Sequence, residues 1–331
     1  MKDLDFKDLI ERVREQTDIV QVIGQRIALD RHHKALCPFH EEKTPSFSVN
    51  PKGQYFYCFG CGVGGDVFRF LELYENKPFM EVLSELANQV GISLSSITSE
   101  DRQRIKEVRT IEDILGETAM FYHQHLTPEV KSYLIKERGF TEETISRFQI
   151  GYANGGLREH VIDKRKFPLD LCLKAGVLKK TGEGAIRDYF YHRVIFPNIK
   201  RGRVVHLTGR SLDGQEPKYL HLPGEMRYLY NEDALSSKTA YIAEGIPDGL
   251  SAIQAGFPTV AILGSSNFKP EYLPKFSRCE KVYLCLDGDK AGEEGALKIG
   301  GLICERARIV SLPEGLDLND YLKEHTKEDF E

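Results

Sequence analysis

Residues 37–61, CPFHEEKTPSFSVNPKGQYFYCFGC, contain the pattern that decides the N-terminal fold. Ligand-type residues occur as Cys-x2-His and then, after a gap of 17 residues, as Cys-x2-Cys, with short strand-like runs in the gap. Each pair suits a tight turn whose two side chains converge, and one Zn²⁺ ion requires four such nitrogen and sulfur ligands in a tetrahedron. The pattern therefore predicts one zinc ion, held by Cys37, His40, Cys58 and Cys61.

A disulfide beside an incidental histidine is the alternative explanation for these residues. The paired spacing and the reducing environment of the cytosol favour a metal site over a disulfide. Because all four ligands come from the protein, the zinc ion is expected to stabilise the fold and not to take part in catalysis. The remaining cysteines lack such spacing, and we expect them to be small buried apolar residues: Cys172, Cys279, Cys285 and Cys304.

Aromatic and basic side chains lie along the strand-like runs of the predicted zinc ribbon. Aromatic rings stack on bases and ammonium groups neutralise phosphates, so this surface is suited to single-stranded nucleic acid. The alternative is that about half of these aromatic residues form the small core of the ribbon itself. The candidates for contact with a template are Lys34, Lys43, Phe47, Tyr55 and Tyr57.

The composition is typical of a water-soluble chain with ordinary hydrophobic cores. The 331 residues are 41% hydrophobic and carry a formal net charge of −5, and this length predicts two or three domains. No apolar run approaches a membrane span, and the N-terminal stretch MKDLDFKDLIERVRE lacks the apolar centre of a secretory signal. We therefore expect a cytoplasmic protein with no membrane partner, in which a local basic groove for nucleic acid is still allowed.

Local patterns predict an α+β fold made of consecutive modules. Residues 1–95 combine helical patterns with the short strands of the ribbon and are predicted to be a zinc-ribbon, DNA-binding domain. The polar, serine-rich run that begins at Ser93 predicts a linker, which we assign to residues 96–109. Helices and alternating strands follow in residues 110–235. In residues 236–331 strands and helices alternate, which predicts a mostly parallel sheet flanked by helices.

Acidic residues of the last module follow its predicted strands at the points where the strands end. Glu244 follows the strand TAYIA, and Asp317 follows ARIVSL after a short loop. Asp287 and Asp289 follow the strand KVYLCL in the run LDGD. Ligand sites of open α/β sheets form at the carboxyl ends of strands, and clustered carboxylates need cations such as Mg²⁺ between them. Two such ions can clamp the oxygens of a phosphoryl transfer. The alternative is that each acidic residue merely caps a helix.

A basic segment precedes the acidic module. Between Arg193 and Lys218 there are six basic residues but only two acidic ones, Asp213 and Glu216. This local excess is opposite in sign to the net charge of the chain. A solvated basic face is one explanation, and a phosphate-binding groove beside the carboxylates is the explanation that we favour.

These motifs resemble, in order, those of bacterial DnaG-type DNA primases. Residues 37–61 followed by GVGGDVFRFL are similar to the zinc-ribbon domain of that family. The stretches RGFTEETISRFQIGYA, RVIFPNIKRGRVVHLTGR and EPKYL resemble its polymerase core, and AEG, LDGDKAG and LPEGLDLNDYL resemble its TOPRIM module. The resemblance extends from about Asp3 to Tyr321.

The resemblance implies a zinc-ribbon domain, a flexible linker and a mixed α/β polymerase domain that contains a TOPRIM parallel-sheet module. It implies synthesis of short RNA primers on single-stranded DNA from ribonucleoside triphosphates, with Mg²⁺ or Mn²⁺ as the catalytic metal. By position, Glu244, Asp287 and Asp289 match the catalytic acidic residues, and Asp317 joins them as a metal ligand. The residues that match or flank the nucleotide-facing segment are Arg193, Arg201, Arg203, Arg210, Lys218 and Tyr219.

Three departures from the family pattern bear on activity. Pro247 lies in the run EGIPDGL, where it alters the start of a helix, and Asn319 lies where a metal ligand is expected. A lysine common after PKYL is missing, and Arg227 is the candidate to replace it. The domain by which the family docks on the replicative helicase is not seen, so the chain is expected to be either truncated or naturally short. The rival functions are a TOPRIM nuclease and a non-catalytic accessory protein that binds single-stranded DNA.

Overall fold

The computed structural model describes residues 6–224 and 226–330, with side chains from Leu9 onward. The chain divides into two compact units, which are described separately. The ribbon unit contains the residues up to Phe121 together with Gly155–Tyr189 and Arg201–Val205. The core unit contains Tyr122–Asn154, Phe190–Lys200 and the residues from His206 onward.

The strands are short, and most of them belong to small sheets. Their bounds are β1 Lys34–Ala35, β2 Phe47–Asn50, β3 Tyr55–Cys58, β4 Gly64–Gly65, β5 Gly151–Ala153, β6 Leu178–Lys180, β7 Ile186–Asp188, β8 Arg193–Lys200, β9 Arg203–Ser211, β10 Tyr219–His221, β11 Thr239–Ala243, β12 Thr259–Ala261, β13 Lys281–Cys285 and β14 Ala307–Ile309.

The α-helices alternate with these strands. Their bounds are α1 Phe6–Gln16, α2 Ile19–Gly24, α3 Val67–Tyr74, α4 Phe79–Gln89, α5 Ser99–Gln124, α6 Pro128–Lys136, α7 Glu142–Arg147, α8 Leu169–Lys174, α9 Ile246–Gln254, α10 Lys290–Ile303, α11 Leu318–Glu324 and α12 Lys327–Phe330.

The sheets confirm the predicted combination of a ribbon and a parallel module. The ribbon sheet has the order β1-β2-β3-β4, and each pair of neighbours is antiparallel. A second sheet has the order β10-β9-β8-β5. The strands of the last module form a parallel sheet with the order β12-β11-β13-β14. Parallel neighbours need helical crossovers, and helices such as α9 and α10 provide them.

Side chains of the ribbon sheet alternate between a buried and an outer face. Phe47 and Phe56 are fully buried and stack on each other, with ring centroids 5.2 Å apart. Phe70 of α3 completes this aromatic centre, 5.7 Å from Phe56. Each buried aromatic side chain contributes about 1.5–3 kcal/mol to folding, so these residues account for much of the stability of the ribbon.

The predicted linker at residues 96–109 is wrong, because most of it belongs to α5. The hydroxyl of Thr98 accepts a hydrogen bond from the Asp101 N–H (3.1 Å), and the Asp101 carboxylate accepts one from the Thr98 N–H (3.0 Å). This reciprocal pair is a capping box, which begins a helix. One turn later Ile105 is 3% exposed and packs in the ribbon core. The polar run that begins at Ser93 therefore leads into the start of α5 and does not form an extended linker.

Three of the four cysteines outside the zinc cluster are buried. Cys172, Cys279 and Cys285 are buried as predicted, whereas Cys304 is exposed. Cys304 terminates α10 in a left-handed conformation (φ 60°), and its side chain lies at the surface.

Within the described part of the chain, no helix combines the length and apolar character that crossing a membrane requires.

Candidate functional site

The four predicted zinc ligands converge at one end of the ribbon sheet. Their ligand atoms all lie within 4.8 Å of one another. The sulfur atoms of Cys37 and Cys61 are 3.9 Å apart, and the Cys58 sulfur is 3.8 Å from His40 Nδ1. A tetrahedral Zn²⁺ ion with bonds of about 2.0–2.3 Å needs ligand separations of this size. The residues therefore fit one structural zinc ion.

Glu42 orients this cluster and was not singled out in the sequence. Its Oε2 lies 3.3 Å from His40 Nε2, on the ring edge opposite the nitrogen that faces Cys58. Its Oε1 accepts hydrogen bonds from the N–H groups of Cys37 (2.7 Å) and Ser46 (3.1 Å). Hydrogen bonds from Ser46 keep the pKa of Glu42 below its ordinary value, so the side chain is ionised. Such carboxylates fix the tautomer and orientation of a zinc-binding histidine.

The predicted acidic residues meet at the carboxyl edge of the parallel sheet. β11 and β13 are neighbours with Ala243 opposite Cys285, which brings the residues that follow them together. Glu244 Oε2 lies 3.5 Å from the Asp287 N–H, and Glu244 Oε1 accepts a hydrogen bond from the Ser265 N–H (3.1 Å). Sheet topology therefore places these carboxylates although they are distant in sequence.

The helix-cap explanation holds for two of the acidic residues and does not exclude a site. Asp289 caps α10 by accepting a hydrogen bond from the Gly292 N–H (2.8 Å), and Asp317 caps α11 through the Asp320 N–H (2.7 Å). Asp317 nevertheless lines the same cavity as Glu244. Gly292 is required here, because a Cβ at this position lies 2.1 Å from the carbonyl oxygen of Asp287.

Asp248 is a further member of the cluster that sequence reasoning missed. It lies in the first turn of α9 and is 7% exposed. Its oxygens accept hydrogen bonds from the N–H groups of Gly245 (Oδ2, 3.1 Å) and Asn319 (Oδ1, 3.1 Å). An aspartate at the third position of a helix that begins directly after Glu244 was the available signal.

Burial and neighbouring carboxylates raise the pKa values of two members of the cluster, Asp287 and Asp248. Burial, assisted by the charges of Asp248 and Glu244, raises the pKa of Asp287 to about 7. Burial and the charge of Asp317 raise the pKa of Asp248 to about 6. Asp287 Oδ1 is buried and has no hydrogen-bond partner among the described residues. Like charges held this closely favour a cation between them, so the residues fit a divalent metal ion.

Basic and aromatic side chains from β9 and β10 line the cavity together with the carboxylates. The cavity has a volume of about 260 Å³ and lies within the core unit. Arg210 Nε is buried without a hydrogen-bond partner among the described residues. The guanidinium carbon of Arg210 lies 5.7 Å from the Tyr133 ring and 5.9 Å from the Tyr219 ring. Six of the predicted acidic and nucleotide-site residues thus line the cavity: Glu244, Asp287, Asp317, Arg210, Lys218 and Tyr219. Three residues that were not predicted also line it: Arg138, His221 and Asp248.

The cavity does not include the other predicted basic residues. Arg193 is 4% exposed, and its Nη1 donates to the carbonyl of Pro217 (2.8 Å), so it supports the backbone. Arg203 belongs to the ribbon unit and forms ion pairs with Glu72 and Glu112. Arg193 is thus engaged by backbone carbonyls and Arg203 by carboxylates of its own unit, so neither contributes to the cavity.

Arg201 also belongs to the ribbon unit, where it pairs with Glu11. Among the template candidates, Phe47 is fully buried, so the expectation that it contacts a template is also wrong. Tyr57 is 9% exposed, and Tyr55 is half-buried. Lys34 and Lys43 are exposed.

The structure shows what surrounds the three residues at which the chain departs from the primase family pattern. Pro247 lies in the first turn of α9, where a missing N–H costs nothing, and the helix starts normally. Asn319 is fully buried, and its Nδ2 donates to Ser251 Oγ (2.6 Å) and to the carbonyl of Arg138 (2.9 Å). Asn319 is therefore a packing residue. Arg227 is exposed and does not line the cavity.

Three family models match consecutive parts of the chain. A model described as CHC2 zinc finger matches residues 6–103. A model of the N-terminal domain of the DNA primase catalytic core matches residues 120–233. A Toprim-like model matches residues 241–322. These matches cover both the zinc cluster and the carboxylate cluster.

Individual relatives agree with the family models. A DNA primase of Geobacillus stearothermophilus is 35% identical over 98% of this chain and 59% of its own length. The chain thus spans about three fifths of that curated relative. The zinc-binding and RNA polymerase domains of the Aquifex aeolicus primase are 31% identical, with 97% of this chain and 83% of that chain covered and a TM-score of 0.68. A DnaG primase catalytic domain solved with single-stranded DNA is 28% identical, with 68% and 80% coverage and a TM-score of 0.57.

Proposed function

We propose, since this chain belongs to the DnaG-type DNA primase family, that it makes short RNA primers on single-stranded DNA from ribonucleoside triphosphates. The observation that carries this proposal is the cavity of the core unit, where carboxylates from separate strand ends face basic side chains. Nucleotidyl transfer needs carboxylates to hold divalent cations and basic groups to neutralise a triphosphate. We expect this activity in the cytoplasm, where a bacterial cell keeps both its DNA and its ribonucleotides.

Glu244, Asp287 and Asp317 are the proposed ligands of Mg²⁺ or Mn²⁺, together with Asp289, which follows closely after Asp287. When bound, such cations activate a ribose 3′-hydroxyl and neutralise the departing pyrophosphate. The chain itself contributes the fixed positions of the carboxylates. Glu244 is held through the Ser265 N–H, and Asp289 and Asp317 are held by the helix ends that they cap.

Asp248 is proposed to be a positioning residue of the same cluster. Both of its oxygens accept backbone hydrogen bonds, one from Gly245 and one from Asn319. These bonds connect the loop that carries Glu244 to the helix capped by Asp317. A carboxylate engaged in this way supplies negative charge to the cavity while it fixes the geometry of its neighbours.

Arg210 and Lys218 are proposed to neutralise the triphosphate. The Arg210 guanidinium lies within about 6 Å of two aromatic rings, which restrict its orientation, and the planar fork of its donors matches the oxygens of a phosphate. Lys218 is exposed and adds a second positive charge to the cavity. Tyr219, whose pKa is raised by burial, stays a neutral hydroxyl that is suited to contact the sugar or the base.

The outer face of the ribbon sheet is proposed to contact the DNA template. Tyr55, which is half-buried, lies on the same face of β3 as Tyr57, which is only 9% exposed. Lys34 lies across the sheet from Tyr57, opposite Ser48. Phe59 follows in the same alternation and is 46% exposed. Exposed rings beside an ammonium group suit stacked bases and their phosphates. The solved relative with single-stranded DNA supports DNA as the partner.

The test is primer synthesis by the full chain on a single-stranded template with ribonucleotides and Mg²⁺ or Mn²⁺. We expect template-dependent short RNA, and we expect Asp287→Ala to lower its rate by at least about a hundredfold. Asp320→Ala is the matched control, because Asp320 is a partly exposed aspartate of α11 that pairs with Lys323 and does not line the cavity.

Two other outcomes would contradict the proposal. Cleavage of the DNA without RNA synthesis, abolished by Asp287→Ala, would assign the cavity to a nuclease. Tight binding of single-stranded DNA without product, unchanged in Asp287→Ala, would make the chain a non-catalytic accessory protein.

A further inference from the structure

Three aromatic rings form a continuous stack at one end of the sheet β10-β9-β8-β5. The Tyr152 ring of β5 lies 6.5 Å from the His192 ring, and the two planes differ by 22°. The His192 ring lies 4.1 Å from the Tyr191 ring, with planes 18° apart. All three residues belong to the core unit. Tyr191 is the outermost ring of the stack.

The stack leaves its outer ring in solvent. Tyr191 is 55% exposed, and His192 is exposed as well. His192 has a left-handed backbone (φ 51°), which is unfavourable for a residue with a Cβ. A hydrogen bond from the His192 N–H to the Ala153 carbonyl (2.6 Å) fixes this conformation. In this conformation the His192 ring stacks on Tyr191 on one side and lies within 6.5 Å of Tyr152.

The stack lies at the same end of the sheet as basic residues of the cavity. Arg193 directly follows His192, and its Nη1 contacts the carbonyls of Pro217 (2.8 Å) and Lys218 (3.4 Å). Lys218 and Tyr219 line the cavity that contains the carboxylates. The exposed ring therefore lies at the same end of the sheet β10-β9-β8-β5 as the positive charge that phosphates require.

We propose that the outer face of Tyr191 stacks on a base of the single-stranded DNA template next to the catalytic cavity. This inference rests on the proposed function, which supplies the template. A nucleobase extends a stack of parallel rings in the same way as one base extends another, and it does so with little sequence preference. His192 and Tyr152 support the ring from behind, so that Tyr191 is already ordered before the template binds.

The chain contains no tryptophan, which makes a direct test available. Tyr191→Trp introduces a single indole emitter at the exposed face. Titration of this full-length variant with a short oligothymidylate is expected to quench its emission. The quenching midpoint should coincide with the midpoint of oligonucleotide anisotropy. An abasic oligonucleotide of equal length should bind through its phosphates and leave the emission unchanged.

Tyr321→Trp is the matched control for the reporter. Tyr321 also stacks on a histidine, His325, with ring centroids 4.1 Å apart and planes 3° apart. Tyr321 lies on α11 and His325 directly follows that helix, and neither lines the cavity. We expect no quenching at this position. Equal quenching at both positions, or equal quenching by the abasic and the normal oligonucleotide at Tyr191→Trp, would overturn the proposal.

Affinity provides the second measurement. Tyr191→Leu is expected to weaken binding of single-stranded DNA by about tenfold, because it removes one base stack, whereas Tyr191→Phe should bind like the wild type. Unchanged affinity in Tyr191→Leu would overturn the proposal. RNA synthesis by the wild type without quenching in Tyr191→Trp would contradict the base contact and leave the proposed function unaffected. Quenching without any RNA synthesis by the wild type would keep the base contact and reject the primase function.

Discussion

The zinc cluster of the ribbon unit and the carboxylate cluster of the core unit differ in how their ligands reach one another. Cys37, His40, Cys58 and Cys61 are brought together by two local turns and one hairpin. Glu244 and Asp287, in contrast, are 43 residues apart and meet because β11 and β13 are parallel neighbours. A site built from local turns depends on its metal for structure, whereas a site built on a sheet edge is positioned by the hydrophobic core beneath it.

Removal of zinc is expected to have the largest effect and to separate the two clusters. Binding of structural zinc contributes about 10–16 kcal/mol in small zinc domains, so chelation should unfold the ribbon sheet. The parallel sheet has a separate buried core and should remain folded. Hydrogen exchange can measure this difference: amides of β2 and β3 should lose protection while amides of β11 and β13 keep it.

A cysteine pair provides the control for this experiment. Cys58→Ser should reproduce the effect of chelation, whereas Cys304→Ser, at an exposed cysteine far from the ligands in sequence, should not. Loss of protection in β11 and β13 on chelation would show that the two units do not fold independently.

Asn319→Ala tests the dependence of the carboxylate cluster on tertiary contacts. The substitution removes hydrogen bonds to Ser251 Oγ and to the Arg138 carbonyl at a fully buried position. We expect a loss of about 3 kcal/mol in the free energy of unfolding, measured with denaturant. Asn88→Ala, at an exposed helical position, should have almost no effect. An equally small effect of Asn319→Ala would mean that the acidic edge is not held by α11.

Asp287→Asn tests the charge repulsion at the sheet edge. Because the pKa of Asp287 is raised to about 7, the folded state favours the protonated carboxyl, and stability should fall as pH rises from about 4 to 8 without divalent cations. Asp287→Asn should remove this loss and stabilise the cation-free protein at pH 8 by about 2 kcal/mol, after allowance for solvent screening of a half-buried group. Thermal unfolding at both ends of this pH range measures it.

The same experiment has an internal control. Saturating Mg²⁺ or Mn²⁺ should stabilise the wild type at pH 8 and should stabilise Asp287→Asn much less. A pH dependence that is identical in the two proteins would show that other groups are responsible.

Glu42→Gln is expected to have the smallest effect of this series and concerns the zinc cluster only. The amide keeps the shape of the side chain but removes the charge beside His40, and we expect about a tenfold loss of zinc affinity. Competition with a chromogenic chelator measures this change. Glu41→Gln, at the exposed neighbouring residue, is the control, and equal affinities of the two variants would exclude an orienting role for Glu42.

The contrast between the clusters also explains what could be predicted from the sequence. The zinc ligands follow from spacing alone, because each pair lies within one turn. The positions of the other carboxylates could be predicted from the ends of strands. Asp248 lies inside α9, and its contact with Asn319, 71 residues away, is visible only in the structure. The basic segment was over-interpreted, since a charge count along the chain cannot show that Arg203 is buried against Glu72.

The errors at the ribbon have the same origin. Phe47 was grouped with Tyr55 and Tyr57 by residue type, although Phe47 pairs with Cys58 and therefore shares the buried face. The predicted linker failed because serine and threonine both start helices and fill loops, and only the reciprocal bonds between Thr98 and Asp101 distinguish the two cases.

Gly292 has a consequence for the mutational tolerance of the acidic edge. Every other amino acid would bring a carbon atom to 2.1 Å from the Asp287 carbonyl oxygen, so the loop that bears two of the proposed ligands would have to move. In a saturation library, all nineteen replacements at this position should therefore displace this loop and reduce activity to a similar extent, irrespective of polarity or charge. A residue that has no side chain, and that would be overlooked in any search for chemistry, thus sets one of the narrowest limits on how this family member can change.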